Sequence, residues 1–325
     1  MSDHGARNEG ERITVIANPR AGGGRAGADR AGIEAAVSRA FAQGRVIWTE
    51  RAGHATTIAR GIAESGEPDI IAALGGDGTC HEVVNGLFHN GVPVNRRAIF
   101  TVIPFGTGGD LVRSLQIKKN VQDALWIAST GMTLPVDVIK LTFPAPSGEQ
   151  PRIEMCINVA GFGINAMVCQ LVNASSKRFG GTVSFLGAIF SALGQYESRV
   201  VDWRWDGPDG AGGASIETLA AFAANGHYCG AGLFVGKGGS MADGCLDLSI
   251  IPKLSMGAAL RHLPKLYAGE FAAVPGVVRV RASRIEISRT IAIETDGEAI
   301  GDTPVTLEVL PKALMTRGGW LKPTI

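Results

Sequence analysis

Asp77 sits where a carboxylate needs explaining, inside Gly75-Gly76-Asp77-Gly78-Thr79 and directly after the apolar run Ile70-Ile71-Ala72-Ala73-Leu74. Glycines at 75, 76 and 78 leave backbone amides uncovered, and uncovered amides at the start of a helix are a seat for phosphate. A carboxylate among them would repel that phosphate unless a divalent cation lay between, so the loop implies Mg²⁺ as well as a nucleotide. A second acidic set is Glu294-Thr295-Asp296-Gly297-Glu298. Alternation along one strand would turn Glu294, Asp296 and Glu298 to the same side, with Gly297 leaving room for a substrate. Such crowding is costly unless cations or a functional proton relieve it. Phosphoryl transfer, which asks mainly for positioning and charge neutralisation, suits both sets. Their structural alternatives are a tight strand-to-helix turn capped by Asp77 and Thr79, and a polar hairpin tip.

The elements that must position these residues alternate along the first third of the chain. Residues 70–74 read as a strand buried on both faces. Thr79 and Glu82 have the spacing of a capping box, and Val83, Val84, Leu87 and Phe88 form an apolar stripe behind them. A helix is therefore predicted to start at the glycine loop, its positive end toward any bound anion. Residues 12–17, 46–49 and 99–103 read as strands; 55–64 and the stripe Ile33, Ala36, Val37, Ala40 and Phe41 read as helices. This order predicts an α/β nucleotide-binding domain with a parallel, Rossmann-like sheet and ligand loops at the strands' carboxyl ends.

Two more loops fall at such ends. One is Asn18-Pro19-Arg20-Ala21-Gly22; the other is Pro104-Phe105-Gly106-Thr107-Gly108-Gly109-Asp110. In the latter, Asp110 suits a helix N-cap and Thr107 a phosphate or ribose donor. Gly22, Gly24 and Gly27, with Glu50 after the next strand, superficially match a dinucleotide fingerprint. Against it, Asn18 and Pro19 separate the strand from the glycines, and a dehydrogenase would leave Gly75 to Thr79 unexplained.

In order, Asn18-Pro-x-x-Gly22, Gly75-Gly-Asp-Gly-Thr79 and Pro104-x-Gly-Thr-Gly-x-Asp110 resemble the diacylglycerol kinase catalytic-domain family of lipid kinases. That family includes sphingosine and ceramide kinases and is similar in fold to NAD kinases. The resemblance implies an ATP- and Mg²⁺-dependent kinase acting on a hydroxyl of a membrane lipid. Diacylglycerol is the first candidate acceptor, with ceramide and sphingosine as alternatives. ATP would be held by Asn18, Pro19, Arg20, Ala21, Gly22, Thr49, Gly75, Gly76, Asp77, Gly78, Thr79, Cys80, His81, Gly106 and Thr107. Glu298 would take the proton from the lipid hydroxyl, oriented by Asp296, with Asp77 positioning Mg²⁺; in the sphingosine-kinase branch the residue matching Asp77 is given the base role.

The chain departs from the family at Cys80-His81, where Leu-Asn is common, and at Gly109, where Asn is common. His81 reads as a satisfied cap or core group. NAD kinases carry an Asn-Glu pair for the dinucleotide, present here only as Asn8-Glu9. A nucleotide-sensing module without turnover would keep the glycine loops but would not need the Asp296 and Glu298 pair.

From Val136 the pattern changes to short strands at 136–143, 153–159, 200–205, 219–224, 246–251, 278–282, 285–288, 291–295 and 305–310. Their spacing predicts a mainly antiparallel β-sandwich over 136–313, with surface loops at 144–151 and 206–214. The resemblance returns 314–325 to the nucleotide domain, which otherwise spans 12–135. Apolar helices are predicted at 165–175 and 183–196, carrying Met167, Val168, Leu171, Phe185, Leu186, Ile189, Phe190 and Leu193. They read either as core-facing helices or as the wall of an acyl-chain pocket between the domains. Lys177 and Arg178 beside them could meet anionic headgroups. The segment Ser240-Met241-Ala242-Asp243-Gly244-Cys245-Leu246-Asp247 reads as an Asp-Gly turn. It also resembles the family's Asp-Asp-Gly-Leu turn, which implies a structural Mg²⁺ on the Asp243 carboxylate and the carbonyls of Ser240 and Cys245.

Composition narrows the setting. At 325 residues two cores are expected, and a net charge of +1 with no basic run argues against nucleic acid as a partner. The 45 glycines are about twice the usual share. Five scattered cysteines, none in a CxxC pair, suit a reducing compartment. Residues 1–11 read as a disordered polar tail without a secretory core, and no apolar run is long enough to span a bilayer. The expectation is a cytoplasmic protein that touches the inner membrane surface peripherally; whether it forms a homo-oligomer is open.

Overall fold

A computed structural model describes residues 8–66, 70–106, 109–174, 181–236 and 238–319. The chain divides into two units, Met1–Val136 with Lys312–Ile325, and Asp137–Pro311.

The first unit alternates strand and helix. It runs β1 (Asn8–Ala17), α1 (Arg25–Ala28), α2 (Arg30–Ala40), β2 (Phe41–Trp48), α3 (His54–Glu64), β3 (Ile70–Gly75) and α4 (Asp77–Gly86). A small hairpin follows, β4 (Phe88–His89) and β5 (Val92–Pro93), then β6 (Ile99–Pro104), α5 (Asp110–Ser114) and α6 (Val121–Thr130). β1 pairs in parallel with β2 and β3, and β3 with β6. The far side of β6 is covered by the end of β19 (Val305–Gly318), where Met315 pairs with Ile99. Every residue of β3 is buried, as its unbroken apolar run demands of a strand covered on both faces. Ile33, Ala36 and Val37 bury one stripe of α2.

Of the polar tail expected over 1–11, residues 8–11 are strand. Asn8–Glu11 lengthen β1, with Asn8 paired to Phe41 and Glu11 bound by the Arg317 guanidinium at 2.7 and 2.8 Å. A polar stretch can be strand when its charge finds a specific partner.

The second unit follows β7 (Met132–Phe143). It contains β8 (Arg152–Cys156), β9 (Val159–Gly163), α7 (Ile164–Ala174), α8 (Gly181–Gln195), β10 (Arg199–Asp206) and β11 (Gly212–Ala224). After the two-residue β12 (Tyr228–Cys229) and β13 (Leu233–Phe234) come β14 (Leu246–Pro252), α9 (Met256–Tyr267), β15 (Val278–Ala282), β16 (Arg284–Ser288), β17 (Ala292–Thr295) and β18 (Glu298–Asp302). The strands pair antiparallel: β11 lies between β10 and β9, β17 joins β9, and β18 closes a hairpin on β17.

Two cores lie on opposite faces of β11. Ala221 and Ala223 join Phe162, Trp203 and Leu248 on one face. Ala220, Phe222 and Ala224 join the helices on the other. Phe162 meets Trp203 edge-on, with ring centroids 5.5 Å apart. The strand expected over 153–159 is broken at 157–158, and Gly212–Ala214, expected in a loop, belong to β11. α9 was not anticipated. Among the described residues no helix is long and apolar enough to cross a membrane.

Candidate active site

Three loops of the first unit meet at the carboxyl ends of β1, β3 and β6. The Asn18 amide donates to the Leu74 carbonyl at 3.0 Å, and the Phe105 amide to the Gly75 carbonyl at 3.1 Å. Asn18 Nδ2 reaches Thr79 Oγ1 at 3.3 Å, while Asn18 Oδ1 accepts the Arg20 amide at 2.9 Å and tightens the first loop. A Cβ on Gly22 would lie 3.0 Å from the Phe105 ring, and one on Gly106 would lie 3.6 Å from the Gly22 nitrogen. Pro19 accepts the Gly27 amide, Ala21 donates to Asn18, and Thr49, buried at the end of β2, donates to Ala17. Sequence neighbours of three separate strands are thus brought together; Thr107, expected among them, lies outside the described residues.

The two central glycines do different things. A Cβ on Gly75 would fall 2.4 Å from Thr79 Oγ1, so close packing of strand on helix requires glycine there. A Cβ on Gly76 would meet nothing within 4 Å. That open space lies at the N-cap of α4, whose first residue is Asp77 and which has no side-chain cap. This is a place where an anion can approach backbone amides at the positive end of a ten-residue helix.

Two local expectations change. Glu82 does not close a capping box with Thr79: it accepts the Gly53 and Ala55 amides at 2.9 and 3.1 Å and so caps α3. Asp110 is the first helical residue of α5, with Gly109 at the N-cap. Cys80 and His81 are buried in α4, and the Asn85 side-chain Nδ2 donates to the His81 carbonyl at 3.0 Å.

Sequence reasoning missed two cations beside the loops. Arg25 donates to the Gly22 carbonyl at 2.9 Å with its guanidinium 6.0 Å from the Phe105 ring centre. Lys119 Nζ lies 3.3 Å from the Cβ position of Gly109. Their only signal was adjacency to glycine-rich stretches.

In the second unit, Glu294, Asp296 and Glu298 do not share one strand face. Asp296 (φ 50°) and Gly297 (φ 86°) form a two-residue hairpin turn, with Thr295 paired to Glu298. Left-handed values at both positions are what the twist of a tight hairpin selects. Directly paired residues point to the same face, so Glu298 goes with Thr295 and Glu294 lies on the other side. Glu294 is buried against Gly161, where a Cβ would meet its Oε1, and accepts the Gly297 amide at 2.9 Å. Asp296 is 6% exposed. Its carboxylate accepts the amides of Ile157, Asn158 and Val159 at 3.0, 2.9 and 3.1 Å and the Cys156 thiol at 3.2 Å. Burial, and then the Asp296 charge, push the Cys156 thiol well above its ordinary value, so it stays a donor. Glu298 begins β18, half-buried.

The turn expected to hold a structural Mg²⁺ on Ser240, Asp243 and Cys245 is tied together from within the chain. The three residues do converge, but through amides: Ser240 and Cys245 donate to Asp243 at 2.8 and 3.1 Å. The remaining cationic partner is Arg281, 2.7 Å from Asp243 Oδ2. The Arg281 guanidinium thus already supplies positive charge to this carboxylate, and among the described residues no cluster of three His, Cys, Asp or Glu side chains is arranged for a metal. In the two helices read as core-facing or as a pocket wall, Val168 is buried, and Met167, Leu171, Ile189 and Leu193 pack on the unit's own core, while Phe190 is 54% exposed. The side chains of Phe185 and Leu186, and residues Lys177 and Arg178, lie outside the described residues.

A parallel α/β unit with glycine loops gathered at its strand ends, followed by an antiparallel unit, defines a two-domain nucleotide-binding class. Residues 12–141 match the diacylglycerol kinase catalytic domain, and residues 158–316 match the YegS C-terminal NAD kinase beta sandwich-like domain. The chain belongs to the diacylglycerol kinase catalytic-domain family and is a kinase. It is 28% identical over 257 residues to a Xanthomonas oryzae pv. oryzae protein named "Probable lipid kinase YegS-like", spanning 78% of this chain and 79% of that one. It is also 28% identical over 261 residues to a diacylglycerol kinase of Bacillus subtilis, spanning 79% of each. The fold is that of a diacylglycerol kinase crystal structure from Bacillus anthracis, with a TM-score of 0.68 and 22% identity, covering 97% of this chain and 98% of that one.

Proposed function

We propose that this kinase transfers the γ-phosphoryl group of ATP to a hydroxyl of a membrane lipid, with diacylglycerol as the favoured acceptor. The observation that carries the reading is the open backbone at Gly76, where the α4 N-terminus meets the two other glycine loops and a phosphate can reach the amides. Asp77 at that terminus would hold Mg²⁺ together with the nucleotide's own phosphates, the usual mode for an ion that keeps most of its water. Bound there, the ion would neutralise phosphate charge. Arg25 adds positive charge beside the same loops.

In this reading Glu298 accepts the proton of the lipid hydroxyl. Asp296 and Glu294 orient it through the backbone, one anchoring the turn to 157–159 and the other holding the Gly297 amide. The enzyme would work at the cytoplasmic face of the inner membrane as a peripheral protein. The acceptor follows from the relatives' names, since apolar pockets discriminate weakly between lipids. The test is incubation with labelled ATP and Mg²⁺ against micelles containing diacylglycerol, ceramide or sphingosine, and against soluble NAD⁺. Label in diacylglycerol supports the reading. Label in ceramide or sphingosine moves the acceptor, and label in NAD⁺ or in nothing overturns it.

A further inference from the structure

Thr295, the last residue of β17, is fully buried, and among the described residues its hydroxyl has no hydrogen-bond partner. Leaving a buried donor unmade costs more than a made hydrogen bond is worth, and a strand takes valine at such a position as readily as threonine. The hydroxyl therefore calls for a reason. Its neighbours on the same face narrow what completes it. Across to β9 it pairs with Ala160, and two residues back on its own strand stands Ile293. Both belong to the apolar core with Phe162 and Trp203 and bring no polar side-chain group. Across to β18 it pairs with Glu298. Directly opposed side chains have Cβ atoms about 4.5–5.5 Å apart, so rotation of the Glu298 side chain alone brings its carboxylate to the hydroxyl. The neighbouring acids are engaged elsewhere. Glu294, on the other face of the hairpin, accepts the Gly297 amide, and Asp296 accepts the amides of 157–159 and the Cys156 thiol. α7 packs on both strands of the hairpin; its titratable side chain is Cys169, and it carries no Asp, Glu, Lys, Arg or His.

We propose that Thr295 is a positioning residue for the proton transfer: its hydroxyl donates to the Glu298 carboxylate and fixes where that carboxylate stands when the acceptor hydroxyl arrives. A β-branched side chain on an inner strand has few rotamers, so the donor's place is set by the sheet and not by the half-buried acid it serves. The hydrogen bond favours the charged carboxylate, which keeps Glu298 deprotonated and able to take a proton. Thr295 keeps its own proton throughout. The proton leaving the acceptor hydroxyl goes to the other oxygen of Glu298 as the acceptor oxygen bonds to phosphorus and the bond to the nucleoside diphosphate breaks. The inference rests on the reading of the chain as a lipid kinase with Glu298 as its base.

The experiment compares Thr295→Val, which removes the hydroxyl and keeps the shape, with Thr295→Ser, which keeps the hydroxyl and drops the methyl. Diacylglycerol phosphorylation in micelles is followed across pH at saturating ATP and lipid, with thermal unfolding alongside. The Glu298 carboxyl is titrated by carbon NMR of the full chain carrying labelled glutamate, its signal assigned by its loss in Glu298→Gln. Thr295→Val should lower kcat roughly tenfold with the KM values for ATP and lipid near wild type. Its acid limb and its Glu298 titration should both move up by about one pH unit, because the donor that favoured the charged form is gone. Glu294, Asp296, Cys156 and Cys169 are common to both proteins and do not enter the difference. Thr295→Val should unfold no lower than wild type, while Thr295→Ser should keep kcat and the titration but lose stability with the buried methyl. Wild-type kcat in Thr295→Val overturns the inference and leaves Thr295 a filler of the strand. An unshifted Glu298 titration overturns it too, as does a lowered unfolding temperature in Thr295→Val, which would assign the hydroxyl to the fold. The two readings fail separately: a wild type that labels no lipid removes the kinase acceptor while the NMR comparison still decides the hydrogen bond, whereas labelled lipid with an unshifted Glu298 removes the hydrogen bond alone.

Discussion

Asp296 Oδ1 accepts the backbone amide of Asn158 at 2.9 Å, joining the turn of one hairpin to the break between β8 and β9. The amides of Ile157 and Val159 complete the grip, and the Asp296 amide donates back to the Val159 carbonyl at 3.0 Å. A buried carboxylate that accepts consecutive amides fixes a loop in place. Asp296→Asn should therefore destabilise the second unit by roughly 1–3 kcal/mol, since an amide nitrogen would face donors that need an acceptor. Thermal unfolding checks it: a variant as stable as wild type would show that the anchor carries little weight.

Glu298 differs from Asp296 in being half-buried at the start of β18, so its substitution should act on chemistry more than on folding. Glu298→Gln should lower kcat by a factor of about 10² or more, with the ATP KM and the unfolding temperature near wild type. Near-normal turnover at saturating ATP and lipid would move the base elsewhere, with Asp77 the next candidate.

Gly75 and Gly76 offer a paired test of the phosphate seat. Gly75→Ala places a Cβ 2.4 Å from Thr79 Oγ1 and should cost stability, by roughly 1–3 kcal/mol for an overpacked site. Gly76→Ala has open space and a backbone of φ −101° that alanine accepts, so it should fold normally. The same methyl would stand where a phosphate approaches, so nucleotide affinity should fall while the melting temperature does not. Equal ATP binding by wild type and Gly76→Ala, measured by calorimetry, would place the phosphate elsewhere.

The turn at Asp243 bears on metal dependence. With Arg281 at 2.7 Å and two amides on the same carboxylate, the turn has its positive charge from within the chain. A chelator should leave the unfolding temperature of wild type unchanged. Arg281→Gln should destabilise by about 1 kcal/mol or less, because both side chains are partly exposed and water screens the pair. A chelator-induced drop in wild-type stability would restore a bound ion to the fold.

Much of this was legible in the sequence, and the exceptions share a cause. Ile70 to Leu74 announces a doubly covered strand, and a glycine run after it announces a turn, because both signals are local. The meeting of Asn18 with Thr79 is not local, yet it follows once strands are parallel and their ends align. What could not be read is which partner a polar group chooses across space. Glu82 has the spacing of its own helix's cap and serves α3 instead. Glu294, Asp296 and Glu298 alternate as one strand would, but Asp-Gly is also the strongest hairpin signal, and the turn separates them onto two strands. Arg281 lies 38 residues from Asp243, and nothing in either neighbourhood marks the pair. α9 escaped notice because Pro264 lies inside it, although Ser255 caps its start by accepting the Ala258 amide.

Glu11 gives a prediction with a definite pH sign. Its carboxylate is held below the ordinary value of 4.5, first by the hydrogen bonds from Arg317 and less by the guanidinium's charge, while partial burial acts the other way. Arg317 is itself buried, donating also to the Ala128 carbonyl and Thr133 Oγ1, so losing Glu11 would strand a guanidinium in the first unit. A carboxyl whose folded pKa is depressed adds stability that is full above the unfolded value and disappears as pH falls through the folded one. Glu11→Gln should accordingly lower the unfolding temperature at neutral pH, and its deficit relative to wild type should shrink steadily as pH drops below about 4.5. Because Glu11 is partly exposed, the neutral-pH deficit should be modest, on the order of 1 kcal/mol. Unfolding curves of the two proteins across acid pH decide it: a deficit that persists undiminished below the folded titration would mean that packing around Arg317, and not the ion pair, is what Glu11 supplies.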